Sequence, residues 1–95
     1  MSEPVDTTAF EADVRAVCEE LTRFLVEKNR AYGDSALNPV RVFSRASTVE
    51  QLLVRIDDKL SRLSRGDAAG EDVEKDLLGY LVILRVARVR AARGT

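Results

Sequence analysis

Lys28-Asn29-Arg30-Ala31-Tyr32-Gly33-Asp34-Ser35 stands at the end of a long amphipathic stretch and puts a lysine where the next core residue belongs. Counting back by threes and fours, Leu25, Phe24, Leu21, Val17, Val14 and Phe10 fall on one helical face. Glu11, Asp13, Arg15, Glu19 and Arg23 fall on the other. The same steps carried forward reach Lys28 and then Tyr32. Either Lys28 snorkels past the end of a bundle, or its charge turns inward to meet carboxylates or a bound phosphate. Gly33 is a suitable left-handed terminator. At the other end, Thr8-Ala9-Phe10-Glu11 has the spacing of a capping box, whose hydroxyl and carboxylate satisfy free amides. The first helix is therefore expected over about 9–31.

Working outward, residues 1–7 read as a flexible arm and residues 8–93 as a single helical domain. Asn38-Pro39 looks like a cap followed by a first-turn proline, so a short helical turn is expected near 39–44. Ser47-Thr48-Val49-Glu50 is a second capping box. Val49, Leu52, Leu53, Ile56, Leu60 and Leu63 then form a clean stripe, giving a helix over about 48–65 with Gly66 as terminator. Residues 66–70 are a turn. A third helix is expected over about 71–92, acidic in its first turn and rich in arginine in its last ones (Arg85, Arg88, Arg90, Arg93), as the helix dipole favours. Leu77 to Leu84 is apolar all round apart from Gly79 and the Tyr80 hydroxyl, and such a helix is expected to be buried all round. Two shorter partners cannot cover it. The chain thus reads as an all-α bundle of three main helices, completed by homo-oligomerisation.

Composition agrees and narrows the chemistry. The 95 residues suit one domain, and a core this small gains from self-association. Hydrophobic residues at 45% and charged residues at 33% describe a folded chain and not a disordered one. A net charge of −1 supplies no global field toward nucleic acid or an anionic membrane. The arginines near the C-terminus are spread around their helix, which argues against nucleic acid as a partner. The single cysteine excludes an internal disulfide, and Cys18, beside the apolar stripe, reads as a buried structural thiol. Histidine is absent, so a general base has to be carboxylate, lysine or metal-bound water, and a metal site has to be oxygen-rich and suited to Mg²⁺. The N-terminus is acidic and no apolar stretch follows it. Leu77–Leu84 is also far shorter than a membrane span, so a cytoplasmic protein without a membrane partner is expected.

Two further groups of polar residues depart from a bland pattern. Arg55, Asp58, Lys59 and Arg62 share one stripe of the second helix, either solvated and held by weak i,i+3 and i,i+4 pairs or lining a cleft. Asp57 lies at the border of the apolar face and is geometrically the more inward of the two neighbouring aspartates. On the third helix Asp72 and Asp76 are one turn apart. Two carboxylates at that spacing can chelate a divalent ion, or they can serve as first-turn acids. Gly79 costs about 1 kcal/mol relative to alanine inside a helix, which points to close packing or to space left for a ligand.

Taken in order, Lys28-Asn29-x-x-Tyr32-Gly33-Asp34-Ser35, Arg55-x-x-Asp58-Lys59-x-x-Arg62-Leu63 and Asp72-x-x-x-Asp76-Leu77-x-x-Tyr80 resemble the nucleotide modification associated domain of phages and bacteria. That family is a small all-α domain tied to enzymes acting on modified bases, and the likeness implies nucleotides without implying a reaction. The layout is also similar to the all-α nucleoside triphosphate pyrophosphohydrolases of the MazG and dimeric dUTPase type, which hold Mg²⁺ with Glu-x-x-Glu and Glu-x-x-Asp. Here Val73 stands three before Asp76, and Asp57 and Asp58 replace the two glutamates. The resemblance singles out Asp58 where the helical wheel favours Asp57.

On that resemblance the chain is expected to bind a nucleotide or another phosphorylated small molecule. Asp58, Asp72 and Asp76 would hold Mg²⁺, with Asp58 and Asp76 taking part in hydrolysis of a phosphoanhydride. Lys28, Arg55 and Lys59 would meet phosphate, Asn29 and Ser35 would donate hydrogen bonds, and Tyr32 would stack on a base or bond to a sugar. Binding without chemistry is the alternative that the missing glutamates favour. A helical interaction module with merely solvated polar stripes is the third.

Overall fold

The computed structural model describes residues 5–38, 43–66 and 72–94, and among them there are three helices and no strand. They are α1, Thr8–Ala31; α2, Thr48–Arg65; and α3, Val73–Ala92. The all-α reading holds. Residues 39–42 of the expected helical turn and residues 67–70 of the expected α2–α3 turn lie outside the described residues.

Local chemistry sets each helix end. At α1 the expected Thr8–Glu11 box is not formed. Thr8 is already helical, and the Asp6 carboxylate accepts from its amide at 2.9 Å instead. Hydrogen bonding from Thr8 holds the Asp6 carboxyl below its usual range. At the other end of α1, the Gly33 amide donates to the Arg30 carbonyl and the Asp34 amide to the Asn29 carbonyl. This crossed pair needs a left-handed residue past the helix, and Gly33 takes φ 62° at no steric cost. Asp34 follows at φ 61°, and its carboxylate accepts from the Asn38 amide group. At α2, Ser47 Oγ accepts from the Glu50 amide at 3.1 Å, as expected. α3 begins at Val73, two residues later than expected, because Asp72 serves as its N-cap and accepts from the Lys75 amide at 3.0 Å.

The core lies between α2 and α3. Leu52, Ile56 and Leu84 are buried together, with Leu53, Leu77, Tyr80 and Ile83 packed against them. α1 touches α3 over a short crossing and makes no helix packing with α2. Both apolar stripes are left partly uncovered within one chain. No residue of α1 is buried: Cys18, expected to be a buried thiol, is exposed, and Phe10, Val14 and Val17 of the apolar stripe face solvent. The Leu77–Leu84 segment is not covered all round either, since Leu78, Leu81 and Val82 are exposed. One chain does not supply enough helix surface to cover both stripes. The result is elongated: the Cα radius of gyration is 16.8 Å, against about 12 Å for a compact chain of this length.

α1 comes closest to α3 at Gly79. A Cβ placed there would stand 2.9 Å from Leu25 Cδ2, so the missing side chain lets the two helices approach. Gly79→Ala should change the unfolding free energy by less than about 1 kcal/mol, because the gain in helix propensity offsets a small displacement of Leu25. Gly79→Leu should cost about 2 kcal/mol by forcing the crossing apart. Leu52→Ala, which empties the centre of the α2–α3 core, should cost about 3 kcal/mol. Urea unfolding followed by circular dichroism measures all three.

Candidate functional site

The last turns of α1, the polar stripe of α2 and the first half of α3 enclose a cleft of about 420 Å³. Its position follows from the helix ends. The Gly33 turn swings the chain away from α1 just past Tyr32 and brings Ser35 and Ala36 to the rim. Arg55 and Lys59 are one turn apart on α2 and so share a face. Asp76, Gly79 and Tyr80 recur by threes and fours along α3 and form the floor with Ile83.

Asp76 is the electrostatic centre. Its Oδ1 stands 3.4 Å from Lys28 Nζ and its Oδ2 stands 3.5 Å from Lys59 Nζ. The Lys59 and Asp76 side chains are only 12% and 14% exposed, whereas Lys28 at 45% stands at the mouth. Lys28 therefore turns its charge toward a carboxylate while keeping contact with water. Arg55 donates to the Tyr80 hydroxyl at 3.4 Å and lies over the Tyr80 ring. The Phe24 ring receives two ammonium groups, Lys28 at 4.9 Å and Lys75 at 4.4 Å, an arrangement that favours cations through the ring quadrupole. Lys28, Arg55 and Lys59 against Asp76 leave the cleft lining with a formal charge of +2.

The six residues expected to bind a ligand, Lys28, Asn29, Tyr32, Ser35, Arg55 and Lys59, all line this cleft. Among the described residues neither the Asn29 nor the Ser35 side chain has a hydrogen-bond partner, so both are available as donors. Tyr32 is exposed at the edge.

The three aspartates expected to hold Mg²⁺ are not gathered. Asp76 lines the cleft, but Asp58 pairs with Arg62 at 3.3 Å on the outer face of α2, and Asp72 caps α3. A one-residue step of about 100° carries Asp58 off the face that Lys59 presents. Asp57 is exposed and does not line the cleft either. Among the described residues no group of three or more acidic or cysteine side chains is placed to hold a metal ion. Among the described residues the donor set does not fit a Mg²⁺ ion bound by the protein alone.

Lys75 escaped the sequence reading. It bridges Glu20 at 3.1 Å and lies over Phe24, helping to hold α1 on α3, and a contact across 55 positions leaves no local signal. Phe24 and Leu25, read as core, form apolar wall of the cleft. Comparison of the chain with protein-family models, with curated proteins and with solved structures gives no match to any of them.

Asp76→Asn should lower the unfolding free energy by about 1–2 kcal/mol, between the value of an exposed ion pair and that of a buried one. Adding salt should narrow the gap between variant and wild type, because the Lys28 arm is open to screening. Urea unfolding at low and high ionic strength measures both.

Proposed function

We propose that this cleft binds a phosphorylated small molecule, in the first place a nucleotide, and that binding by its cationic groups is the protein's principal activity. The observation that carries this reading is the gathering of Lys28, Arg55 and Lys59 in one cleft whose described lining holds a single carboxylate. A phosphate group suits that set. Arg55 offers a planar fork of donors and the lysines offer compact charges, and charge-assisted hydrogen bonds of this kind are about twice as strong as neutral ones. Asn29 and Ser35 add neutral donors at the rim. Tyr32 presents an aromatic face on which a base can stack. The volume lies within the range of small-molecule sites.

Recognition by the protein's own cations holds with or without a metal ion carried in by the phosphates. Hydrolysis is a separate claim that these residues support less well, because one carboxylate alone lines the cleft among the described residues and it is engaged by two lysines. Its own test is release of phosphate or pyrophosphate in the presence of Mg²⁺, abolished by Asp76→Ala.

Calorimetric titration with nucleoside mono-, di- and triphosphates, and with the unphosphorylated nucleosides, tests the binding reading. Phosphorylated members should bind, the nucleosides should not, and EDTA should leave the affinity unchanged. Lys28→Ala and Arg55→Ala should each weaken binding by about tenfold or more. Asp72→Ala should cost about 1 kcal/mol of stability as a lost cap and leave affinity intact. Asp76→Asn should tighten binding, since it removes the anion that competes for Lys28 at the mouth of the cleft; a metal-holding Asp76 predicts the opposite. Absence of heat with every phosphorylated compound, or indifference to both cation substitutions, overturns the proposal.

A further inference from the structure

Two apolar helix faces are left without a partner, and they carry opposite charge. The outer half of α1 exposes Phe10 at 69%, Val14 at 43% and Val17 at 57%. Steps of three and four keep these on one stripe with Leu21. From Thr8 to Glu20 that half carries Glu11, Asp13, Glu19 and Glu20 against Arg15 alone. The C-terminal half of α3 exposes Val82 and Val89, in line with Leu78 and Leu81 one and two turns earlier. From residue 82 to residue 93 it carries Arg85, Arg88, Arg90 and Arg93 and no acid.

These faces do not meet within one chain. The side-chain contacts of α1 with α3 come from Glu20, Phe24, Leu25 and Lys28 and reach Lys75, Asp76 and Gly79, so the crossing lies at the inner half of α1. The outer half runs on past it into solvent, and the molecule extends 63 Å along its longest axis.

We propose that a second copy of this chain covers both faces, the outer half of α1 of each copy lying along the C-terminal half of α3 of the other. The exchange is self-complementary, so it closes as a two-fold dimer and forms the same contact twice. Charge selects the pairing. Two α3 ends laid together would oppose eight arginines with no acid between them, and two α1 arms would oppose acid with acid. The mixed contact places Asp13, at the border of the α1 stripe, against Arg85 and Arg88 along a shared apolar seam. The dimer also holds α1 from both ends, which a single chain does through one short crossing. This inference rests on the uncovered faces and is independent of what the cleft binds.

Sedimentation velocity of the full chain at about 0.1 mM, where a contact of micromolar strength is largely formed, provides the test. The expected mass is that of two copies of the 10.5 kDa chain. Val17→Asp and Arg88→Asp should each raise the dissociation constant by about tenfold or more, and Asp13→Arg combined with Arg88→Asp should recover most of that loss. Circular dichroism of Val17→Asp should match wild type at low concentration, because no α1 residue is buried in the single chain. A one-copy mass at 0.1 mM by this measurement, or a dimer indifferent to Val17→Asp, overturns the proposal. A charge exchange that recovers nothing overturns the α1-to-α3 pairing.

Discussion

The Asp76 carboxylate joins all three helices. It belongs to α3, it receives Lys28 from α1 and it receives Lys59 from α2. α1 and α2 do not pack on each other, so this clasp is where they are tied. The half that includes Lys59 is screened from water, and an ion pair there depends on geometry and on remaining hydrogen bonds to offset the cost of leaving water. The half that includes Lys28 is open to solvent and individually weak. The screened pair ties α2 to α3 and the open one alone reaches α1, so α1 is positioned by the clasp but not locked.

That arrangement follows from where the apolar surface went. The α2–α3 pair buries Leu52, Ile56 and Leu84 and forms the stable body of the chain. α1 buries nothing completely, and what keeps it in place is one glycine-permitted crossing, the Asp76 clasp and the Lys75–Glu20 bridge. Opening α1 therefore sacrifices little apolar burial, and local opening of this kind is what low contact density produces. The cleft lies between the stable body and the loosely held helix. One wall is rigid and the other adjusts.

Much of the fold was legible because helix ends are written in local chemistry. Ser47 three residues before Glu50 caps α2 because its hydroxyl reaches the Glu50 amide, and Gly33 after Tyr32 ends a helix because few other residues tolerate its conformation. The Thr8 box does not form because α1 is capped one residue earlier, at Thr7, and the Asp6 carboxylate takes the Thr8 amide that Glu11 would accept in such a box. The site was legible only in part. Lys28 announced itself by breaking an apolar stripe, and the cleft gathers it with Asn29, Tyr32, Ser35, Arg55 and Lys59. Asp58 and Asp72 illustrate the limit. Spacing along one helix tells which side chains are neighbours, but not which face a second helix will cover. Asp72 also fell outside the helix whose period had been used to align it with Asp76. The uncovered stripe of α1 is the same limit seen from the apolar side, because a stripe records that something covers it and not whether that cover lies in the same chain.

The clasp also explains how one group can serve both stability and binding. In the free chain Asp76 supplies the negative charge that Lys28 and Lys59 require, so the cations are held together without a ligand and do not repel one another apart. On the proposed reading, a phosphate entering the cleft would take over that role from the open side, where Lys28 and Arg55 stand, and leave the screened Lys59–Asp76 contact in place. It then adds a second tie between α1 and α2, the two helices that share no packing of their own. Binding and ordering of α1 are on that reading one process: whatever affinity the cations provide is reduced by the cost of fixing the helix, and a tie that holds α1 without occupying those cations, such as the Lys75–Glu20 bridge, returns that cost as affinity.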